Sequence, residues 1–167
     1  MGSDVAPSGA ARTGASWLVR STSPLHCVLA FAAGALVQSA VGLPVPQGPL
    51  RDGLAVAGTV LANGGLLLVL WSFALFARRR TTIMPGGAPS GLVRGGPFRR
   101  TRNPVYIGLL ASYVGLALMY AVPWALVPLP LPLWVLSRAI IPWEEAALHA
   151  RFGRDYLAYR DAVPRWL

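Results

Sequence analysis

The chain has 167 residues, of which 54% are hydrophobic and only 13% charged, with a mean hydropathy of +0.52. That composition excludes a disordered polymer and an ordinary soluble globule, and the length allows one domain or one membrane bundle. The formal net charge is nevertheless +9, its basic side made of 15 Arg and no Lys, so apolar and basic character must be segregated along the chain. The first 23 residues are rich in Gly, Ala and Ser and are expected to form a disordered tail. Formally charged residues are then missing between Arg20 and Arg51, between Asp52 and Arg78, and between Arg102 and Arg138. Each gap can hold a bilayer-spanning helix of about 20 residues.

The first span is predicted over residues 24–43 and is closed by Pro44, Pro46 and Pro49. Cys27 inside it reads as a quiet buried thiol, and a single Cys excludes an intramolecular disulfide or a CxxC metal site. A cleaved signal peptide over residues 1–42 is the alternative for this stretch. The second span is predicted over 53–77, with Asn63 as a polar group at membrane depth, read as a helix–helix hydrogen bond. The third gap would make a straight helix of about 52 Å, against a hydrocarbon core of about 30 Å. Pro123 divides it into a hairpin, 104–121 and 124–141. Pro128, Pro130 and Pro132 predict a kinked or locally unwound descending arm, whose freed carbonyls must face protein or a wet cavity. Gly108, Ser112 and Gly115, with Ala111, let helix backbones approach closely.

The expected fold is therefore an all-α integral membrane bundle of four transmembrane helices, followed by a C-terminal cytoplasmic amphipathic helical segment. Residues 1–23 form the tail, 24–77 the first transmembrane hairpin, and 78–167 the functional core. Residues 78–102 carry seven Arg and no acid, whereas the tip of the first hairpin has only Arg51 beside Asp52. The positive-inside rule places that loop and both termini in the cytoplasm, with a bacterial inner membrane as the expected location.

Two segments carry nearly all the chemistry. In the first, residues 95–108, Pro97 and Pro104 restrict the backbone on either side of three Arg, and Thr101 and Asn103 are candidate caps. A helix starting at Pro104 turns its free N–H groups to the cytoplasm, which suits a carboxylate or phosphate. On charge alone, these Arg read as topology determinants that hold anionic lipid headgroups. In the second, residues 142–160, Glu144 and Glu145 sit at the end of a span, where ionisable groups are costly and often functional. Leu148, Phe152, Tyr156 and Tyr159 share one helical stripe, and Gly153 ends or breaks the helix. Pattern alone favours a helix lying on the membrane with both carboxylates solvated. His149 reads as a surface residue, and no His, Cys or carboxylate set has metal spacing. The glycines from Gly86 to Gly96 lack the GK[ST] of a phosphate-binding loop and read as a flexible loop.

Taken together, Thr81-Thr82-Ile83-Met84-Pro85, Gly96-Pro97-Phe98 with Arg102-Asn103-Pro104-Val105-Tyr106-Ile107-Gly108, and Glu144-Glu145, Leu148, Phe152-Gly153, Tyr156, Tyr159 and Val163-Pro164-Arg165 resemble the isoprenylcysteine carboxyl methyltransferase and phospholipid methyltransferase superfamily. The likeness covers about half the chain, and Asn103 stands where isoprenylcysteine enzymes have His. The resemblance implies an integral membrane enzyme that moves a methyl group from S-adenosylmethionine to a lipophilic acceptor: an isoprenylcysteine-type carboxylate, a phospholipid amine or a small thiol. It implies membrane lipids and that acceptor as partners, and no nucleic acid. By resemblance, Arg102, Asn103, Pro104, Tyr106, Gly108, Glu144 and Glu145 line the cofactor pocket, Gly108 by leaving room. Arg102 and Glu145 are then the central catalytic pair, and Arg151 and Tyr156 face the acceptor. A general base is not obvious, with Glu145, Tyr106 and His149 as candidates; a carboxylate acceptor would need none. The non-enzymatic alternative is a four-span scaffold with an Arg-rich lipid-binding loop. A small transporter is disfavoured by the lack of repeat symmetry between the halves.

Overall fold

A computed structural model describes residues 11–42, 44–79 and 91–167. Its helices are α1 (Ala11–Val41), α2 (Pro49–Arg78), α3 (Pro104–Met119), α4 (Pro130–Val135), α5 (Ile141–Phe152) and α6 (Arg154–Ala162). Short 3-10 turns cover Gly96–Arg99 and Pro123–Leu126, and a π-helical turn covers Leu136–Ile140. Among the described residues there is no strand. The Thr81–Pro85 motif and the glycines at 86 and 87 lie outside the described residues.

The first helix starts earlier than expected. α1 takes in residues 11–23, read from the sequence as disordered tail. The stretch 11–23 holds no Pro, and its one Gly, Gly14, costs a helix only about 1 kcal/mol. Farther along, Cys27 is buried in a cluster with Tyr113, Ala117 and Ala125, in keeping with a quiet thiol. Phe31 meets Tyr113 edge to face at 5.4 Å. Gly34 lies against the backbone of Ala125, so α1 rests on the turn at the hairpin tip.

α2 and α3 pair antiparallel along a seam without side-chain bulk. The buried residues of α2 are Gly58, Ala62, Gly65, Val69 and Ser72, spaced alternately four and three apart. That spacing keeps one stripe facing a partner. A Cβ on Gly58 would come within 2.6 Å of the Gly115 carbonyl oxygen, and one on Gly108 within 2.6 Å of the Gly65 carbonyl oxygen. Ser112 Oγ donates across the seam to the Ala62 carbonyl at 3.0 Å. Asn63 does not bridge helices; its Nδ2 donates to the Thr59 carbonyl of α2 itself, at 2.8 Å.

At the far end of this pair, Arg51 donates to the Met119 carbonyl at 3.2 Å. Ala121 turns the chain in the left-handed region (φ 52°), and Pro123 opens the return arm. This arm is distorted as its prolines require: a 3-10 turn, a short α segment and a π turn succeed one another before α5.

The stretches Pro49–Arg78 and Pro123–Phe152 are long and apolar enough to cross a membrane; Cys27–Val41 and Pro104–Met119 are shorter apolar helices. Only 22% and 28% of the most apolar windows of the two long stretches are buried. The core helix of a soluble protein would be mostly buried. Here Val56, Val60, Leu67, Leu70 and Trp71 point outward, as in a helical bundle whose rim faces lipid.

Candidate functional site

The two polar segments meet where α2 ends and α3 begins. Pro104 takes the first position of α3, where its missing N–H leaves nothing unpaired. Thr101 and Asn103 do not cap the helix by side chain. They hold the C-terminal segment instead. Asn103 Nδ2 and Thr101 Oγ1 both donate to the Arg165 carbonyl, at 2.9 and 3.0 Å. The Arg102 N–H donates to the Pro164 carbonyl at 2.9 Å, and the Asn103 N–H to Thr101 Oγ1 at 3.2 Å. Thr101 and Asn103 are buried.

This strap brings two guanidiniums onto one carboxylate. Glu145 pairs with Arg165 through two bonds, Nη2–Oε2 at 2.6 Å and Nε–Oε1 at 3.1 Å. Its Oε1 also lies 3.1 Å from Arg102 Nη2. The bidentate form fixes direction as well as charge. The hydrogen bond to Glu145 raises the already high pKa of Arg165. Arg102 Nη1 donates to the Arg160 carbonyl at 3.3 Å. Arg102 Nε and Tyr156 Oη are buried and find no partner among the described residues.

Glu144, one residue earlier, faces elsewhere, because adjacent residues on a helix point about 100° apart. It lies beyond the apolar run that ends at Ile141. Its Oε1 accepts from Tyr106 Oη at 2.8 Å. Burial pushes its carboxyl up to about 7, helped by the neighbouring Glu145 and opposed by the Tyr106 bond. Tyr106 belongs to an apolar cluster with Leu136, Ile140 and Ile141, on which Trp166 also packs.

The aromatic stripe of α5 and α6 turns inward. Tyr156, Tyr159 and Val163 form a buried cluster with Leu92, Leu148 and Phe152. Tyr159 Oη donates to the Phe98 carbonyl at 2.8 Å, and burial raises its pKa to about 12. A helix lying on the membrane with solvated carboxylates is thus replaced by one folded onto residues 92–103. Gly153, at φ 50°, supplies the break that lets α6 turn. Beside it opens a cleft of about 560 Å³ lined by Arg79, Leu92, Arg94, Gly95, Phe152 and Asp155.

Of the residues singled out from the sequence, Arg102, Asn103, Pro104, Tyr106, Glu144, Glu145 and Tyr156 gather here. Gly108 does not: the room it leaves is filled by Gly65 and Val69 of α2, so it is a packing position rather than a pocket wall. Arg151 is exposed and makes no ion pair or hydrogen bond among the described residues; His149 is exposed. No metal-competent cluster occurs among the described residues. Thr101 is expected only as a cap and Arg165 only as part of the Val163-Pro164-Arg165 motif, neither as a site residue. The signal for Arg165 was its place in Val163-Pro164-Arg165, where Pro164 keeps the preceding residue extended and out of the helix.

A model of the phospholipid methyltransferase family matches residues 54–155, more than half of the chain. The chain belongs to that family. The matched stretch runs from α2 to the start of α6 and includes both carboxylates. Among similar proteins is protein-S-isoprenylcysteine O-methyltransferase A of Arabidopsis thaliana, 37% identical over 73 residues, 44% of this chain and 37% of that one. The B protein of the same plant is 34% identical over 116 residues, 62% of this chain and 57% of its own length. A probable protein-S-isoprenylcysteine O-methyltransferase of Oryza sativa subsp. indica is 38% identical over 72 residues, covering 43% and 38%. The chain thus spans between about a third and three fifths of the relatives it matches. No solved structure matches it.

Proposed function

We propose that this phospholipid methyltransferase family member is an integral membrane enzyme of four spans, formed by α1, α2, α3 and residues 123–141. It transfers a methyl group from S-adenosylmethionine to a lipophilic acceptor. The Arg-rich 78–102 loop and both termini lie on the cytoplasmic side, in keeping with the seven Arg of that loop. The observation that carries the reading is the Arg102–Glu145–Arg165 network, which joins the two family boxes at one end of the bundle.

The residues present fit the cofactor. Arg102 Nε and Tyr156 Oη are buried donors without an acceptor among the described residues, and leaving such groups unpaired costs about 1–3 kcal/mol each. Arg102 and Tyr156 would hold the carboxylate of the cofactor, with its cationic and hydroxyl groups toward Glu145. When bound, the cofactor supplies an electrophilic methyl group on a sulfonium. The chain's part is to hold that charge-rich molecule against the bundle end, exclude water, and present a polar acceptor headgroup whose apolar tail stays in lipid. The acceptor classes are an isoprenylcysteine-type carboxylate, a phospholipid amine or a small thiol.

The test is incubation of purified protein with labelled S-adenosylmethionine and a total lipid extract, prenyl-cysteine analogues and small thiols, followed by identification of what gains the methyl group. Arg102→Ala and Glu145→Gln are expected to lose cofactor binding and turnover. Unchanged binding and turnover in both would defeat this site.

A further inference from the structure

Between Arg102 and Glu144 the one charged residue is Arg138. It stands on the outer face of the fourth span. Val127, Leu131 and Trp134 are exposed along that span, four and three residues apart. Arg138 follows four residues later and is exposed too, so it continues the stripe that the four-span reading turns to lipid. The opposite face is the packed one, where Leu136, Ile140 and Ile141 close on Tyr106. Arg138 lies in the π turn Leu136–Ile140, three residues before Ile141 and so about 4–5 Å below the end of the span. Such turns interrupt helices mostly at functional places. A guanidinium in hydrocarbon is costly, and the Arg stem is long enough to lift it to headgroup level.

No acid of the chain answers this charge. Arg138 makes no ion pair or hydrogen bond among the described residues. Glu145 is held by Arg102 and Arg165, and Glu144 by the Tyr106 hydroxyl. Asp155 pairs with Arg94 and Asp161 with Arg160. Asp52 follows Arg51, whose bond to the Met119 carbonyl lies at the opposite end of the bundle. The counter-charge must come from outside the chain, and at this depth the anion within reach is a lipid phosphate. Trp134, one turn earlier and exposed, adds an indole N–H of the kind that settles at headgroup level.

Resting on the four-span part of the reading above and not on methyl transfer, we infer that Arg138, with Trp134, holds the phosphate of an anionic phospholipid of the cytoplasmic leaflet against the π turn. The guanidinium fork matches two phosphate oxygens at once. A zwitterionic headgroup brings its own cation to its phosphate, so an unpaired guanidinium selects a lipid of net negative charge. The site shares no residue with the Arg102–Glu145–Arg165 network.

The experiment titrates the full chain in mild detergent with phosphatidylglycerol or phosphatidylcholine. Native mass spectrometry counts the lipids bound and gives their dissociation constants. The wild type is expected to prefer phosphatidylglycerol by about tenfold or more, as charged hydrogen bonds to one phosphate would give. Arg138→Ala should lose that preference. Arg138→Lys should keep part of it, since the charge remains and the fork does not. Trp134→Phe should weaken binding about fivefold, the effect of one hydrogen bond. The control is Arg154→Ala, which removes an equal charge from exposed α6 outside the spans and should stay within about twofold of the wild type. Equal affinity for the two lipids in the wild type, or an unchanged preference in Arg138→Ala, would overturn the assignment. An equal loss in Arg154→Ala would overturn it in favour of a general attraction to basic surface, and displacement of the lipid by excess inorganic phosphate in favour of a free-anion site. A chain that stays out of phospholipid nanodiscs altogether would instead overturn the four-span reading.

Discussion

The α2–α3 seam and the Arg102–Glu145–Arg165 network are both close contacts, but they are built in opposite ways. The seam works by omission. Gly58, Gly65, Gly108 and Gly115 leave no side chain between backbones, and dispersion over a long contact holds them. The network works by saturation: one carboxylate answers two guanidiniums, and one main-chain carbonyl answers two side chains. Adding one group should break the seam, whereas removing one group should break the network.

The largest expected effect is on the network. Glu145→Gln leaves Arg102 and Arg165 facing each other without a counter-charge, with Arg102 only 11% exposed in its side chain. Breaking such a pair costs about 3–5 kcal/mol. Thermal unfolding in detergent should show a large fall in midpoint, together with loss of labelled cofactor binding. Arg165→Ala should cost less, since its side chain is 36% exposed. If Arg165→Ala proves as damaging as Glu145→Gln, the network is a single unit rather than one pair with an outer supplement.

Next comes a dependence on pH that only the network side possesses. The Glu144 carboxyl titrates near 4.5 when unfolded and at about 7 in the fold. The folded state therefore holds the proton more tightly. This contribution to stability is complete below about 4.5 and is lost as pH rises through about 7. The midpoint of unfolding should fall across that window in the wild type and flatten in Glu144→Gln. The difference between the two curves isolates this group, and parallel curves would remove Glu144 as its source.

The seam gives the third effect. Gly115→Leu forces a side chain into the backbone of Ala62 and the Gly58 carbonyl, at about 1–3 kcal/mol or more. Gly64→Leu is the control: nothing lies within 4 Å of a Cβ there, and a change within about 0.5 kcal/mol is expected. Equal damage from both would mean that α2 has a covered outer face.

This contrast also explains what the sequence could tell. The seam was legible because Gly108, Ser112 and Gly115 repeat within one helix, and helical periodicity maps spacing onto a face. Legible too were the break at Pro123, since proline acts on its own turn, and the distortion after it. The network was legible only in part. Arg102 and Glu145 lie 43 positions apart and Arg165 20 beyond, so their meeting depends on how α3, the fourth span and the Gly153 turn are arranged together. Resemblance marks Arg102 and Glu145 as a catalytic pair but does not place Arg165 with them. Gly108 was assigned to the pocket because its motif is, while the direction of its hydrogen is a property of the α2 pairing. Thr101 and Asn103 read as caps from their type, but both donate to the Arg165 carbonyl, and the strap engages them instead.

The smallest effect concerns that strap and separates it from the ion pairs. Asn103→Ala removes one donor from the Arg165 carbonyl but leaves Thr101 Oγ1 in place at 3.0 Å. The carbonyl stays paired, so the cost should be about 1 kcal/mol, that of one exchanged hydrogen bond. Thr101→Val should cost more, because it also takes from the buried Asn103 N–H its acceptor, Thr101 Oγ1 at 3.2 Å. The double variant strips both donors from a single acceptor, so its loss should exceed the sum of the two, as groups sharing a partner do not add. Cofactor affinity should follow the same order, because the carbonyl fixes the residue whose guanidinium holds Glu145. Unfolding midpoints and cofactor dissociation constants for the four chains decide it. A double variant no worse than either single would mean that the Arg165–Glu145 pair anchors the chain end unaided, and that the two side chains merely fill the space beneath it.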